Sequence, residues 1–191
     1  MSSNGVESTR RRLSAKQAET VGRLSAAAVE VIREREFGGL TIREVASRAG
    51  VGAATAYTYF SSKEHLVAEI FWRRLRDSVE PDVDGLDRTG RVLAVLRNIA
   101  LLYADEPEVS AAVTNALLGT DPDVEHLRGR IGGDIRRRLV GALSPDVDDA
   151  MLDALEMIYA GALLRAGMGY DSYTTMADKL EAAARLILEA R

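Results

Sequence analysis

Apolar residues recur at spacings near 3.6 along most of the chain, and runs of β-branched residues with a period of two are absent. The first spacing is typical of an amphipathic helix and the second of a strand. The pattern therefore predicts an all-α fold with about nine helices. These predicted helices span roughly residues 14–35, 42–49, 52–60, 61–79, 88–104, 107–119, 122–142, 145–170 and 174–190.

Short local signals predict where these helices begin and end. Gly38-Gly39 stops the first helix, and Gly50 ends the second. The stretch from Thr41 to Glu44 has the pattern of a capping box, in which each of the two side chains satisfies an otherwise unpaired N–H group. Asp121-Pro122 and Ser144-Pro145 each place a proline after a good N-cap residue, so a helix is expected to start at both points.

The stretch from about residue 40 to 60 has helix-turn-helix proportions: a short helix, a turn at Gly50 and a very short third helix. Small residues on the third helix would let its backbone approach DNA closely, and threonine methyls and hydroxyls can contact thymine and phosphate. A short packing helix with exposed tyrosines is the alternative, and spacing alone does not decide between them. The outward residues are Ala53, Ala54, Thr55, Tyr57 and Thr58.

The strings from Leu40 to Val51 and from Thr55 to Leu66 closely resemble the DNA-binding domain of TetR-family transcriptional regulators. The similarity covers roughly residues 14–75 and implies an N-terminal three-helix DNA-binding domain, followed by a helical ligand-binding and dimerisation domain over residues 82–191. It further implies a homodimeric repressor that binds a palindromic double-stranded DNA operator. A small, lipophilic effector is expected to release it.

Matched by position, the resemblance implies DNA contacts at both ends of the motif. Lys63 corresponds to a phosphate-binding lysine at a helix start, and Arg43 to a position that can reach a base edge. Simpler roles stay open: Thr41 as a helix cap, Arg43 in solvent or paired with Ser47, and the tyrosines as packing residues. The full set comprises Thr41, Arg43, Ala53, Ala54, Thr55, Tyr57, Thr58, Tyr59 and Lys63.

Two positions depart from the family pattern in the third helix. Gly52 stands where serine is usual, so this helix is expected to lack a side-chain cap. Ala56 replaces the usual leucine, which puts tight packing beneath the helix in question.

Three consecutive arginines, Arg10, Arg11 and Arg12, precede the first helix. An arm of this kind can enter a minor groove or neutralise phosphates. A tail that only increases solubility is the alternative.

Residues 151–170 are apolar nearly all round, which indicates a helix buried on all sides, either within the domain or against a partner chain. Together with apolar positions of the last predicted helix, they exceed what one small domain needs to bury, so we predict a homodimer interface here. Completion of the internal core is the alternative.

Five residues with polar tips on apolar stripes are candidates for an effector pocket, although each could instead be an ordinary core residue. Arg165 is expected to be buried, where it would pair with Glu156 or Asp153 or bind an anionic ligand. The run of arginines over residues 136–138 is expected to form a solvated face. The five candidates are Trp72, Tyr103, Asn115, Tyr159 and Arg165.

Composition argues against catalysis. Cysteine is absent and the two histidines lie far apart without metal-binding spacing, so no cofactor, no metal and no enzymatic activity are expected. No signal peptide or membrane span is predicted, which indicates a cytoplasmic protein. The net charge of −4 is divided unevenly along the chain. Residues 1–80 contain 13 basic and 10 acidic residues, whereas residues 81–191 contain 12 basic and 19 acidic residues.

Two alternative functions stay open beside the ligand-controlled repressor. One is a helical-bundle enzyme or metalloprotein, and the other is a dimeric regulator without a small-molecule ligand.

Overall fold

The computed structural model describes residues 15–189. Over this range the chain forms nine α-helices and no strands, which confirms the predicted all-α fold. Their bounds are α1 Ala15–Gly39, α2 Ile42–Arg48, α3 Ala53–Tyr59, α4 Lys63–Asp77, α5 Arg88–Ala100, α6 Pro107–Leu117, α7 Pro122–Leu143, α8 Asp149–Gly167 and α9 Tyr173–Glu189. No helix within residues 15–189 is both long and apolar enough to cross a bilayer.

The junction between α1 and α2 follows the predicted signals in part. Regular helical geometry stops after Arg35, because Glu36 has φ 57° and ψ −179°. Thr41 caps α2 as predicted, its side chain accepting a hydrogen bond from the N–H of Glu44 at 3.2 Å. The other half of the predicted capping box is wrong: the Glu44 carboxylate accepts a hydrogen bond from Arg35 at 2.9 Å instead.

One of the two predicted proline starts is correct. Asp121 caps α7, accepting from the N–H of Asp123 at 2.8 Å, with Pro122 in the first turn. Ser144 instead terminates α7, and α8 begins only after Asp148, whose carboxylate accepts from the N–H of Met151 at 2.9 Å. Ser144, which precedes a proline, and Asp148 are both good N-cap residues, so the sequence pattern alone could not choose between them.

The hydrophobic core runs continuously through the described chain. Helix α4 packs against α1 on one side and against α6 and α7 on the other, while α9 packs against α5 and α8. Apolar side chains of α4, such as Leu66, Val67 and Leu75, are fully buried. The short helix α2 packs against α1 and α3 packs against α2, so both are attached to the larger bundle through α1. The proposed division near residue 82 stays a prediction.

Helices α6 and α8 cross at close range where Gly167 meets Thr114. A Cβ atom on Gly167 would lie 2.5 Å from Thr114 Cγ2 and 2.9 Å from its Cβ. Gly167→Ala is therefore expected to lower the free energy of unfolding by about 1–3 kcal/mol, as overpacking of a tight core does. Denaturant titration followed by circular dichroism measures it.

Gly132 of α7 is the matched control, because a Cβ there meets no heavy atom within 4 Å. Gly132→Ala is expected to stabilise the protein by about 0.5–1 kcal/mol through helix propensity alone. Equal effects of the two substitutions would contradict the close approach of α6 and α8.

Of the three arginines of α7 at residues 136–138, which were expected to form a solvated face, Arg137 is exposed and Arg136 partly exposed, but Arg138 is buried. Only 3% of the Arg138 side chain is exposed, and its Nε donates to Asp134 at 2.8 Å. Its Nη2 donates to the carbonyl oxygen of Leu75 at 2.6 Å, and its Nη1 to Ser78 Oγ at 3.0 Å. Arg138 thus binds one of the last carbonyl groups of α4 and the Ser78 side chain that follows it, and so fixes α7 against the end of α4.

Candidate nucleic-acid interface and ligand pocket

The outward face of α3 is built on two buried residues. Ala56 and Phe60 are fully buried, so small size at Ala56 lets the helix lie close to its support. Helix α3 lacks a side-chain cap at Gly52, as expected from the sequence. The outward positions are exposed, with Tyr57 at 46%, and this exposed set is Ala53, Ala54, Thr55, Tyr57 and Thr58.

The turn between α2 and α3 depends on Gly50, which has φ +64°, a conformation that a side chain would strain. After the turn, the N–H of Val51 donates to the carbonyl oxygen of Ala46 at 2.9 Å and closes the connection. The short turn holds α3 across α2 in the order expected of a helix-turn-helix motif.

Most basic residues near this motif are engaged within the protein. Arg48 binds Glu34 through two hydrogen bonds of 2.6 and 2.7 Å, and Arg35 binds Glu44. Arg43, on α2, is exposed and makes no hydrogen bond or ion pair to any of residues 15–189. An exposed guanidinium that is not neutralised nearby is available to a phosphate or a guanine edge.

Lys63, at the start of α4, has a structural partner that the sequence did not indicate. Its Nζ donates to the carbonyl oxygen of Phe37 at 3.0 Å and lies 4.4 Å from the centre of the Phe37 ring. The lysine therefore connects α4 to the end of α1, and a phosphate contact would be additional. Tyr59 is half-buried against the core, while Thr41 is exposed. Arg10, Arg11 and Arg12 lie outside the described residues.

A large groove lies between α7 and α8 and is closed at one end by the last turn of α6. Its volume is about 660 Å³, within the range of ligand pockets, and its walls are mainly apolar. Three glycines of α7 form part of its floor, and a Cβ on any of them would meet nothing within 4 Å. The lining includes Thr114, Leu117, Leu118, Arg128, Gly129, Gly132, Gly133, Arg136, Glu156, Tyr159, Leu163 and Leu164.

Of the five candidate pocket residues, Tyr159 alone lines this groove. Burial raises the pKa of its phenol, and its hydroxyl makes no hydrogen bond within residues 15–189. Trp72 is buried elsewhere, with the Arg130 guanidinium 4.6 Å from its ring centre. Tyr103 borders a smaller cavity beside α4, where burial raises its pKa to about 12.

The two remaining candidates are placed at the surface. Asn115 borders a cavity between the end of α1 and α6, and its Nδ2 donates to the carbonyl oxygen of Ala111 at 2.8 Å. The expectation that Arg165 is buried is wrong: 58% of its side chain is exposed, and it pairs with Asp171 at 3.6 Å. Helix α8 is apolar nearly all round in sequence, so its pattern did not reveal which side faces solvent.

Comparison with known proteins identifies the family. The sequence model described as "Bacterial regulatory proteins, tetR family" matches residues 24–70. The chain is 45% identical over 175 residues to an HTH-type transcriptional regulator of Mycobacterium tuberculosis, Rv0767c, covering 91% of this chain and 82% of that protein. The chain belongs to the TetR family. It is a transcriptional regulator that binds DNA through the helix-turn-helix of α2 and α3.

A more distant relative matches most of the chain's length, and solved structures share its fold. The transcriptional repressor KstR of Rhodococcus jostii is 25% identical over 178 residues, covering 90% of this chain and 84% of that protein. A TetR regulator from Rhodococcus sp. RHA1 superposes with a TM-score of 0.73 at 24% identity, covering 92% of this chain and 98% of that one. FadR of Bacillus subtilis, solved in complex with stearoyl-CoA, gives a TM-score of 0.63 at 14% identity, covering 89% and 98%.

In this TetR-family chain, the turn between α6 and α7 contacts the turn between α3 and α4. Ser61 Oγ donates to Asp121 Oδ2 at 2.8 Å, and the Ser61 N–H donates to His65 Nδ1 at 3.3 Å. Partial burial raises the pKa of Asp121, but hydrogen bonds from Ser62, the Asp123 N–H and Ser61 outweigh it and lower the pKa overall. The carboxylate that begins α7 is therefore also bound to the segment that follows α3.

The groove and this polar contact of the TetR-family chain were not predicted from its sequence. The glycines at 129, 132 and 133 follow an i, i+3, i+4 spacing, which places them on one helix face and was a usable signal. The contact between Ser61 and Asp121 joins residues 60 positions apart, and no local pattern indicates it. Among residues 15–189, histidine and carboxylate side chains nowhere gather in groups of three or more that would hold a metal ion.

Proposed function

We propose that this protein is a repressor that binds a palindromic operator as a homodimer and is released by a small lipophilic molecule. The observation that carries the proposal is the pairing of an exposed α3 with an apolar groove of about 660 Å³ in one continuous bundle. The resemblance to KstR, a repressor by name, supports the direction of regulation.

An unpartnered apolar surface on α8 and α9 supports the homodimer. Met157 is 69% exposed and Leu186 is 73% exposed, although both lie within long helices of a well-packed bundle. Exposed apolar side chains on adjacent helices favour association with a second copy of the same surface about a two-fold axis. Two copies of α3 would then enter successive major grooves about 34–36 Å apart.

Leu186→Glu is expected to weaken dimerisation at least about tenfold, because it places a charge where an apolar contact forms. Sedimentation velocity over a dilution series measures the dimer fraction. Nuclease footprinting on an operator fragment should show two protected half-sites for the unaltered protein and weaker protection for the variant. Arg185→Gln, a change to the neighbouring exposed residue, is the control. The homodimer would be refuted if the unaltered protein stays monomeric and folded at high concentration.

The groove supports a lipophilic effector because its walls are apolar and its volume suits a drug-sized molecule. The B. subtilis FadR structure contains stearoyl-CoA, so the fold accommodates a lipid-like ligand in that protein. The contact of Ser61 with Asp121 offers a path from the groove to α3, since α7 both lines the groove and begins at Asp121. A ligand that binds the DNA-free arrangement of the protein more tightly than the DNA-bound one would release DNA through this contact.

A further inference from the structure

We propose that the effector is an amphiphile with an apolar chain and an anionic head group, and that Arg128 binds this anionic head group. The inference rests on the proposed role of the groove as an effector site. It names the chemistry of the ligand and the residue that selects it. The anion could be a free carboxylate or the phosphate of a thioester carrier, since both accept the same hydrogen bonds from a guanidinium.

Arg128 is held in place while part of its hydrogen-bonding capacity stays available. Its Nη1 donates to the carbonyl oxygens of Leu117 at 2.7 Å and Gly119 at 2.9 Å, which fixes the guanidinium at the end of α6. A guanidinium carries five N–H groups, so those of Nε and Nη2 remain for a ligand. These two nitrogens form the fork that binds a carboxylate or phosphate through two parallel hydrogen bonds.

Arg128 is also the cation of the groove whose charge is not neutralised. Within residues 15–189, no carboxylate lies within ion-pair distance of Arg128. The other arginine that lines the groove, Arg136, donates to Asp153 at 2.9 Å and to Glu156 at 2.7 Å. The groove is therefore positive at the Arg128 end and neutral to negative at the Arg136 end. This difference orients an anionic amphiphile with its head towards α6.

The floor between these two arginines suits an apolar chain. Gly129, Gly132 and Gly133 present backbone without side chains, and Leu163 and Leu164 of α8 face them across the groove. Positions 129 to 136 span about 10 Å along α7, given the helical rise per residue. An acyl chain of intermediate length would fill this space and exclude water from both walls.

Arg128 also connects the head-group site to the start of α4. The carbonyl oxygen of Gly119 accepts one of its hydrogen bonds, and a Cβ on Gly119 would lie only 3.2 Å from Glu64 Cγ. Glu64 belongs to the first turn of α4, directly after the turn that follows α3. An anion bound to Arg128 thus acts on Gly119, which joins the end of α6 to α4, the helix that follows the DNA-binding motif.

The test compares ligands that share a ten-carbon chain and differ in the head group. Decanoate, decanol and decanoyl-CoA are titrated against the 191-residue chain without DNA, and displacement of the neutral apolar fluorophore N-phenylnaphthylamine reports binding. At least one of the two anionic ligands is expected to bind about tenfold or more tightly than decanol, the effect of one charge-assisted pair. The anion whose preference over decanol is lost in Arg128→Gln identifies the carboxylate or the phosphate as the group recognised.

Arg128→Gln is expected to abolish the preference for the anion and to leave decanol binding unchanged. Arg137→Gln, on the same helix but directed to Asp134 and Glu80, should retain the preference. Gly132→Leu should weaken binding of all ligands because it fills the floor of the groove. Equal affinity for decanol and both anions, no binding of any of them, or a preference that survives Arg128→Gln would overturn the inference. Operator binding is measured in a separate experiment, so none of these outcomes bears on the proposed DNA-binding function.

Discussion

Arg138→Met is expected to lower the free energy of unfolding by about 3 kcal/mol, the low end of the cost of removing one partner from a buried ion pair. Methionine preserves most of the apolar stem, so the loss comes mainly from hydrogen bonds. The carbonyl oxygen of Leu75 would keep its donors from Ser78 but lose the one from Arg138, and Asp134 would lose one of its two arginines. Chemical denaturation at neutral pH measures the change.

Arg137 is the matched control, one position earlier on the same helix. Its side chain is 58% exposed, and its ion pairs with Glu80 and Asp134 are at the surface. Arg137→Met should therefore cost less than about 1 kcal/mol. If both variants lose the same small amount of stability, the role of Arg138 in fixing α7 to the end of α4 is wrong.

The double variant Arg43→Gln, Tyr57→Ala is expected to weaken operator binding about 100-fold without unfolding the protein. A bidentate arginine contact to guanine contributes about 1–3 kcal/mol, and the loss of the Tyr57 contact should add to it. Both side chains are exposed and neither supports the core, so the melting temperature should hardly change. Electrophoretic mobility shift at constant salt measures the affinity, and calorimetry the stability.

Arg76→Gln controls for the change of net charge. Arg76 is bound to Asp77 at the far end of α4, where the outward side chains of α3 do not lie. It should bind operator nearly as well as the unaltered protein. The single variants separate the two contacts, since loss of a base contact relaxes sequence preference whereas loss of a phosphate contact weakens binding to all sequences and lowers the salt dependence. Full operator affinity in the double variant would show that neither residue contacts the operator.

The helices could be predicted from sequence because their signals are local. Periodic apolar positions and caps such as Thr41 and Asp121 act within one or two turns. The errors arose where two local signals were equivalent, as at Ser144 and Asp148, or where a neighbour in space replaced the expected partner. Glu44 illustrates the second case, because its carboxylate binds Arg35 rather than the backbone of Thr41.

The helix-turn-helix and its exposed residues were accessible from sequence, whereas the groove was not. Residues of α3 lie within seven consecutive positions, so their exposure follows from one short helix. The groove combines residues from Thr114 to Leu164, on three helices, and depends on how those helices cross. The placement of Arg138 and Arg165 shows the same limit: the sequence indicated a solvated Arg138 and a buried Arg165, and the packing reverses both.

Under the proposed role of the groove as an effector site, the glycine floor of α7 gives the chain a way to change ligand preference through single substitutions. Each of Gly129, Gly132 and Gly133 could accept a Cβ atom without steric conflict, and replacement by alanine would also improve helix propensity. Most changes that reshape a binding site reduce stability, which limits how many a protein can accumulate. Here the groove could become narrower, shorter or more polar while the fold gains stability. Duplicated copies of such a gene could therefore diverge towards different small molecules and keep the same DNA-binding half.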